Sequence, residues 1–90
     1  MDYKKRFGNN LRRLRNKADL SQHDLSRRCD LDRSGIWSLE QGYRQPTLVT
    51  LVKLAKVLGA DLDALAAGID WDEASLQLTV ERTPVERTPD

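Results

Sequence analysis

Apolar residues recur every three or four positions through the first two thirds of the chain, which is the period of an amphipathic α-helix. The first stripe follows Asp2, a residue type that favours the N-cap of a helix. Residue types that start and stop helices divide the region into five predicted helices. The first of these helices carries its apolar stripe on Tyr3, Phe7, Leu11, Leu14 and Ala18.

Two short helices are predicted next. Ser21 and Asp24 have the spacing of a capping box, which predicts a helix over 22–29. Asp32 can cap another helix over 33–41. Two short helices joined by a tight turn, with a longer helix before them and an apolar helix after them, are typical of a helix-turn-helix.

The fourth predicted helix follows Pro46 and is apolar around most of its circumference. Such a helix is usually the central, buried one of its domain. Gly59 should end it. A fifth helix should then extend to Gly68, with Leu62 and Leu65 on its buried face.

Residues beyond position 68 follow a different pattern. Leu76, Leu78 and Val80 alternate with polar residues, and this period of two predicts a single strand over 75–80. A lone strand needs a partner. Two copies of the chain could supply it to each other by antiparallel pairing, which would make a homodimer.

The chain ends in two copies of the five-residue sequence VERTP. A short repeat with charges and proline predicts a disordered end. We therefore expect a helix-turn-helix domain over 1–68 and a C-terminal extension over 69–90. Trp71, at the start of that extension, should fold back on the helices.

Composition narrows the classes of function. The 90 residues suffice for one domain. Charges interrupt every apolar stretch, which excludes a membrane span of about 20 residues, and no apolar segment follows the basic N-terminus, so no secretory signal is expected. The single cysteine, Cys29, and the single histidine, His23, cannot build a disulfide, a zinc site or a catalytic triad within the chain. We therefore expect a cytoplasmic protein that holds no metal or cofactor and is not an enzyme.

The net charge of +1 is unevenly distributed along the chain. Residues 1–56 carry 13 Lys and Arg against six Asp and Glu, which gives +7, whereas residues 57–90 carry two against eight, which gives −6. A basic first part indicates a polyanionic partner such as DNA. Solvated charge on an ordinary helical surface is the alternative explanation.

Several motifs, in this order and at these spacings, resemble the Cro/phage-repressor type of helix-turn-helix protein, also called the xenobiotic-response-element family. The resemblance covers Phe7 to Gly68, about two thirds of the chain. It implies an all-α, five-helix, lambda-repressor-like DNA-binding domain that acts as a bacterial transcriptional regulator. The matching motifs are Leu11-Arg12-Arg13-Leu14-Arg15, Leu20-Ser21-Gln22-x-x-Leu25, Ile36-x-x-Leu39-Glu40-x-Gly42, Pro46, and Leu48-x-x-Leu51-x-x-Leu54-Ala55-x-x-Leu58-Gly59.

The helix over 33–41 is the predicted recognition helix. Because Ile36 and Leu39 should face the core, the polar residues between them should face outward and reach base edges in the major groove. Arg33 can pair through its guanidinium with O6 and N7 of guanine. The outward residues, and so the candidate base contacts, are Arg33, Ser34, Trp37, Ser38 and Gln41.

Further DNA contacts are expected beside this helix. The resemblance implies that Gln22 bonds the DNA backbone and braces the recognition helix, and that Tyr43 and Arg44 bind phosphates. Ser21 places a hydroxyl group at the start of the second helix, where a phosphate can bind. Trp37 departs from the serine that is common in the family, and its indole could pack on sugars, on a thymine methyl or on a neighbouring helix.

The resemblance also implies a structural ion pair between Arg15 and Glu40, partly buried. No effector domain follows residue 68, so control by a small molecule is not expected. Two functions compete for this fold: a homodimeric repressor-like regulator that binds double-stranded DNA, and a protein–protein adaptor or antitoxin that does not read a DNA sequence. The basic first part and the polar outward helix face favour the regulator.

Overall fold

Five α-helices and a β-hairpin make up the computed structural model, which describes residues 2–81. The all-α class with a short C-terminal extension is confirmed. Of the repeat that predicted a disordered end, residues 82–90 lie outside the described residues. The elements are α1 (Tyr3–Lys17), α2 (Gln22–Arg28), α3 (Arg33–Gln41), α4 (Leu48–Leu58), α5 (Leu62–Leu65), β1 (Ile69–Asp72) and β2 (Gln77–Val80).

The helices start where the caps were predicted, although the Asp32 side chain makes no capping hydrogen bond at the start of α3. The Asp2 carboxylate accepts a hydrogen bond from the backbone N–H of Lys5 at 2.9 Å. At the start of α2 the capping box is complete, because the Ser21 hydroxyl accepts from Asp24 N–H at 2.9 Å and the Asp24 carboxylate accepts from Ser21 N–H at 3.3 Å. Gly42 ends α3 in the left-handed conformation, with φ of 79°, which glycine adopts without steric cost.

The core is aliphatic and lies between the five helices. Cys29 is one of its members, and burial raises the pKa of its thiol, so this side chain behaves as a small apolar residue. Each helix contributes at least one fully or nearly fully buried apolar side chain. The buried apolar residues are Phe7, Leu11, Leu25, Cys29, Ile36, Leu39, Leu54 and Leu65.

Helix α1 crosses α3 at very close range. A β-carbon at Gly8 would lie 2.6 Å from the carbonyl oxygen of Leu39 and nearer still to that of Glu40. Atoms cannot approach so closely without moving one of the two backbones. Gly8 therefore fixes the depth at which α3 packs on α1, and thus the position of the predicted recognition helix.

The prediction that α4 is a central helix is wrong. Leu54 is its one buried residue, whereas Leu48, Val49 and Val52 are 70%, 64% and 53% exposed. Leu62, predicted to be buried on α5, is also 45% exposed. The domain has only one core, which α4 meets with a single side, so its opposite apolar side lies on the surface.

The predicted lone strand has a partner within the same chain, so the expectation of an unpaired strand is wrong. β1 and β2 are antiparallel, with Ile69 opposite Val80 and Trp71 opposite Leu78. The Asp72 carboxylate shapes the turn between them by accepting hydrogen bonds from the turn residues 74 and 75. β1 has the same period of two, since Ile69 and Trp71 alternate with Asp70 and Asp72, and sequence reasoning missed it.

Arg6 attaches the hairpin to α1. Its side chain is buried and donates hydrogen bonds to the carbonyl oxygens of Glu81 at 2.7 Å and Ala67 at 3.5 Å. Glu81 N–H also donates to Gly68 O at 2.9 Å. Position 68 requires glycine for two reasons. A β-carbon there would overlap the Arg6 guanidinium, and its φ of 82° lies in the left-handed region.

Trp71 does not fold back on the helices as predicted, since 53% of it is exposed. Ile69, two residues earlier on the same strand, packs against the core. The hairpin extends beyond the helical body from that point. Its outer part therefore leaves Trp71 and Leu78 on the surface as a cross-strand pair.

Candidate nucleic-acid interface

The polar side of α3 faces away from the core. Ile36 and Leu39 are buried, and this rotation of the helix leaves Arg33, Ser34 and Trp37 exposed. The other two candidate base contacts on this side, Ser38 and Gln41, are half-buried. The side chains nearest the N-terminus of α3 are therefore the most accessible, and in this arrangement they would meet DNA first.

Four of the candidate residues line one shallow hollow between the start of α2 and the first turns of α3. They are Gln22, Arg33, Ser34 and Trp37. The hollow combines hydrogen-bonding groups with an aromatic surface. Such a combination can contact both the polar edges and the apolar methyl groups that bases present in the major groove.

A neighbouring cleft separates α3 from the start of α4. Ser34 and Ser38 line it from α3, and Arg44 and Thr47 line it from the connecting loop and the α4 N-cap. The Arg44 guanidinium lies beside Gly35, where an added β-carbon would sit 3.8 Å from Nη1. Hydroxyl groups and a guanidinium around an open cleft are suitable donors for phosphate oxygens.

Trp37 and Tyr43 contact each other beside the hollow. Their ring centroids are 5.5 Å apart at an interplanar angle of 62°, an edge-to-face arrangement, which aromatic pairs favour. Tyr43 remains 66% exposed and Trp37 45% exposed. The pair thus forms an ordered aromatic surface on the outward side of α3.

Gln22 holds α2 against α3 while remaining accessible. Its side-chain amide donates to the Glu40 carboxylate at 3.0 Å, and the residue lies one position after Ser21, which is exposed. The Ser21 hydroxyl accepts from Asp24 N–H in the capping box, so this exposed side chain also fixes the start of α2.

Glu40 is the point at which three elements are joined. Its side chain is 1% exposed and forms a two-bond ion pair with Arg15, at 2.6 Å from Nε and 3.1 Å from Nη2. Hydrogen bonding to Glu40 raises the pKa of Arg15, although burial opposes the rise. Because Gln22 donates to the same carboxylate, α1 and α2 are both fixed to α3.

Arg12 also belongs to this cluster, and sequence reasoning missed it. Arg12 Nη2 donates to the carbonyl oxygen of Glu40 at 3.1 Å, and Nε lies 3.7 Å from the carboxylate. A signal was present in the sequence, since Arg12 and Arg15 are three residues apart and so share one side of α1. Gly8 and Arg6 had no comparable signal, because their partners are backbone atoms.

Comparisons with known proteins match this architecture. The model of a family described as a helix-turn-helix domain matches residues 6–68. The control protein C.MunI of a Mycoplasma species is 44% identical over 70 residues, which are 77% of this chain and 95% of that protein. The HTH-type transcriptional regulator y4dJ of Sinorhizobium fredii is 41% identical over 59 residues, 66% of this chain and 77% of that protein.

A solved structure shares the fold as well. The restriction–modification controller protein C.AhdI of Aeromonas hydrophila superposes with a TM-score of 0.67 at 39% identity, over 69% of this chain and 94% of that one. In these three comparisons the match covers between 66% and 77% of this chain.

The chain belongs to the helix-turn-helix domain family. It is a DNA-binding transcriptional regulator and not an enzyme, as the control proteins and the regulator to which it is similar support. Among residues 2–81, no helix is both long and apolar enough to cross a membrane.

Proposed function

We propose that α3 enters the major groove of double-stranded DNA and that Arg33 reads a guanine there. The observation that carries this proposal is the hollow at the start of α3, where Arg33 and Ser34 are exposed beside Gln22 and Trp37. Arginine is the side chain whose two parallel donors match O6 and N7 of guanine. Ser34, Ser38 and Gln41 extend the same side of the helix and can accept or donate to neighbouring base edges.

The residues around α3 position the protein on the DNA backbone in this proposal. Arg44 and Tyr43 bind phosphates from the loop after α3, and Ser21 and Gln22 do so from the start of α2. These side chains flank the base-contacting surface on two sides. Phosphate contacts of this kind fix the orientation of the helix but carry no direct information about sequence.

We further propose that the regulator acts as a homodimer, joined through α4 and α5 rather than through a lone strand. Val52 and Leu62 are exposed and line a shallow, mostly apolar hollow with Ala55 and Ala60. Val49, three residues before Val52, extends this apolar surface. A second copy would cover it and would place the second recognition helix at a half-site about 34 Å away, one turn of DNA.

The similarity to control proteins supports a narrower role. C.MunI and C.AhdI are named as a control protein and a restriction–modification controller, and we propose the same task here, regulation of the genes of a restriction–modification system in the bacterial cytoplasm at the nucleoid. Binding sites selected from random DNA and located in the host genome test this. Sites before genes for a nuclease or a DNA methyltransferase support it, and sites elsewhere contradict it.

Replacing two arginines separates base recognition from phosphate binding. Arg33→Ala should weaken binding to the selected site by about 1–3 kcal/mol and relax the preference at one base pair per half-site. Arg44→Ala should weaken binding to all sequences about equally and lower the salt slope by about one unit per lost contact. Binding curves on specific and scrambled duplexes at several salt concentrations measure both effects.

The outcomes also separate this function from its alternative. A uniform loss of affinity in Arg33→Ala, with base preference intact, would make Arg33 a phosphate contact. A protein–protein adaptor would show little binding to duplex DNA and no steep dependence on salt, since it makes no phosphate contacts that release counterions.

Val52→Glu tests the dimer, because a buried unpaired charge in an interface is strongly unfavourable. The variant should be a monomer in light scattering and should bind a full site more weakly. Leu78→Glu makes the same change at another exposed apolar residue, on β2, and should remain a dimer. If Leu78→Glu is a monomer and Val52→Glu remains a dimer, the interface lies on the hairpin.

A further inference from the structure

Trp37 is a large aromatic side chain on a surface that is otherwise polar. It is one of only five aromatic residues in the chain, yet 45% of it is exposed, and it belongs neither to the core nor to the residues packed against it. Indoles bury much apolar area when they find a partner. An exposed indole in the middle of a DNA-binding surface therefore indicates an apolar partner on the DNA.

The position of Trp37 relative to Arg33 limits which groups of the DNA the indole can contact. The two residues are four apart on α3, so they share one side of the helix and are separated by about 6 Å along its axis. Both line the hollow that also contains Gln22 and Ser34. If Arg33 reaches a guanine edge, Trp37 faces base edges of the same groove within the next one or two base pairs.

Tyr43 limits the movement of the indole. The edge-to-face contact at 5.5 Å joins Trp37 to the loop that begins at the end of α3. A side chain held in place loses little freedom when it binds, and this favours selective contact over loose packing. The aromatic surface thus has a fixed position beside the base-contacting arginine.

We propose that Trp37, held by Tyr43, recognises the C5-methyl group of a pyrimidine next to the base pair contacted by Arg33. Indole has one N–H donor and no strong acceptor, and the rest of its large surface is apolar. In the major groove the apolar group that distinguishes one base pair from another is the methyl group of thymine. The same methyl group occurs on 5-methylcytosine. This inference rests on the proposed docking of α3 in the major groove.

Removing the methyl group from the DNA tests the inference directly. In the selected site, each thymine is replaced in turn by deoxyuridine, which lacks only that methyl. For the wild-type protein, one position in each half-site should lose about fourfold in affinity, the factor expected for burying one methyl group. Trp37→Ala should bind more weakly overall and should show no loss at that position.

Trp71→Ala is the matched control. It removes the other tryptophan of the chain, which is exposed on the hairpin, and it should keep the full dependence on the methyl group. Thermal melting verifies that both variants are folded. The inference is overturned if no thymine of the site shows methyl dependence with the wild type, or if Trp37→Ala retains it, as packing on sugars would give.

A second series distinguishes the two sources of the methyl group. The identified thymine is replaced by cytosine and by 5-methylcytosine, each paired with guanine. Recovery with 5-methylcytosine supports recognition of the methyl on either pyrimidine, and no recovery, with the deoxyuridine loss intact, supports recognition of thymine alone. The proposed function is tested independently of this inference, because sequence-specific binding that depends on Arg33 does not require recognition of a methyl group.

Discussion

Two regions of the molecule are attached to α1 by arginines, Arg15 half-buried and Arg6 buried, and they are attached in different ways. At the recognition helix, Arg15 meets the carboxylate of Glu40 in a two-bond ion pair, supported by Gln22. At the C-terminal hairpin, the hydrogen bonds that Arg6 makes within residues 2–81 go to backbone carbonyl oxygens, those of Ala67 and Glu81. The first attachment joins opposite charges, whereas the second is made by one charge and neutral acceptors.

The difference determines what each attachment stabilises. The Glu40 cluster holds three helices whose relative positions set the proposed DNA-contacting surface, and the removal of its single acid leaves Arg15, whose side chain is 12% exposed, without a charged partner. The Arg6 contacts hold a hairpin that lies outside the residues matched by the family model, 6–68. We therefore expect damage at Glu40 to affect the whole domain, and damage at Arg6 to affect mainly the hairpin.

Glu40→Ala should produce the largest loss of stability, about 3 kcal/mol or more. The physical reason is that Arg15 would keep its charge in a largely buried position with no carboxylate to pair with it. Thermal and denaturant unfolding of the variant and the wild type measure the loss.

Glu40→Gln is the control for this variant, because it keeps the shape and one acceptor oxygen of the side chain and should lose less. Equal and negligible losses in both variants would mean that Arg15 and Glu40 are effectively solvated, and the contrast with the hairpin would disappear.

Arg6→Ala should have an intermediate effect, a loss of about 1–3 kcal/mol, because it removes the charged donor from the carbonyl oxygen of Glu81, whereas that of Ala67 keeps a hydrogen bond from Asn10 at 2.9 Å. Backbone amides of β1 and β2 should exchange with solvent much faster, while those of α3 should change little. Hydrogen exchange followed by NMR gives both quantities.

Arg13→Ala provides the matched control, since Arg13 is an exposed arginine on the same helix and its removal should leave the hairpin protected. Exchange that accelerates equally in the hairpin and in α3 would show that the two regions unfold as one unit. That result would contradict a local role for Arg6.

The α2 capping box should give the smallest effect. Ser21→Ala should cost about 1 kcal/mol, the usual loss for an N-cap. Hydrogen bonding to the backbone N–H and the side chain of Ser21 lowers the pKa of Asp24. The ionised carboxylate therefore stabilises the folded protein at neutral pH, and this contribution is lost as the pH falls below the ordinary value of about 3.9 and through the lowered folded value.

As the pH is lowered from 5 to 2.5, the melting temperature of Asp24→Asn should therefore fall less than that of the wild type. Parallel pH profiles for the two proteins would contradict the role of Asp24 in the cap. Neither variant should alter the protection of the hairpin from hydrogen exchange, which distinguishes both of them from Arg6→Ala.

Much of the helical body could be predicted from the sequence because its signals are local. The capping box of Ser21 and Asp24 and the turn at Gly42 lie within a few residues of the groups they satisfy. The rotation of α3 follows from the three-residue spacing of Ile36 and Leu39, both buried.

What the sequence by itself determined, then, are the helices, their caps and the outward side of α3, since each depends on spacing along one short segment. Only the tertiary structure decided that β2 pairs with β1, that one side of α4 remains exposed, and that Arg6 meets carbonyl oxygens 61 and 75 residues away. Every residue carries the same backbone carbonyl, so no sequence pattern identifies which of them a buried arginine will meet. The packing of distant segments determines which carbonyl oxygens accept these hydrogen bonds.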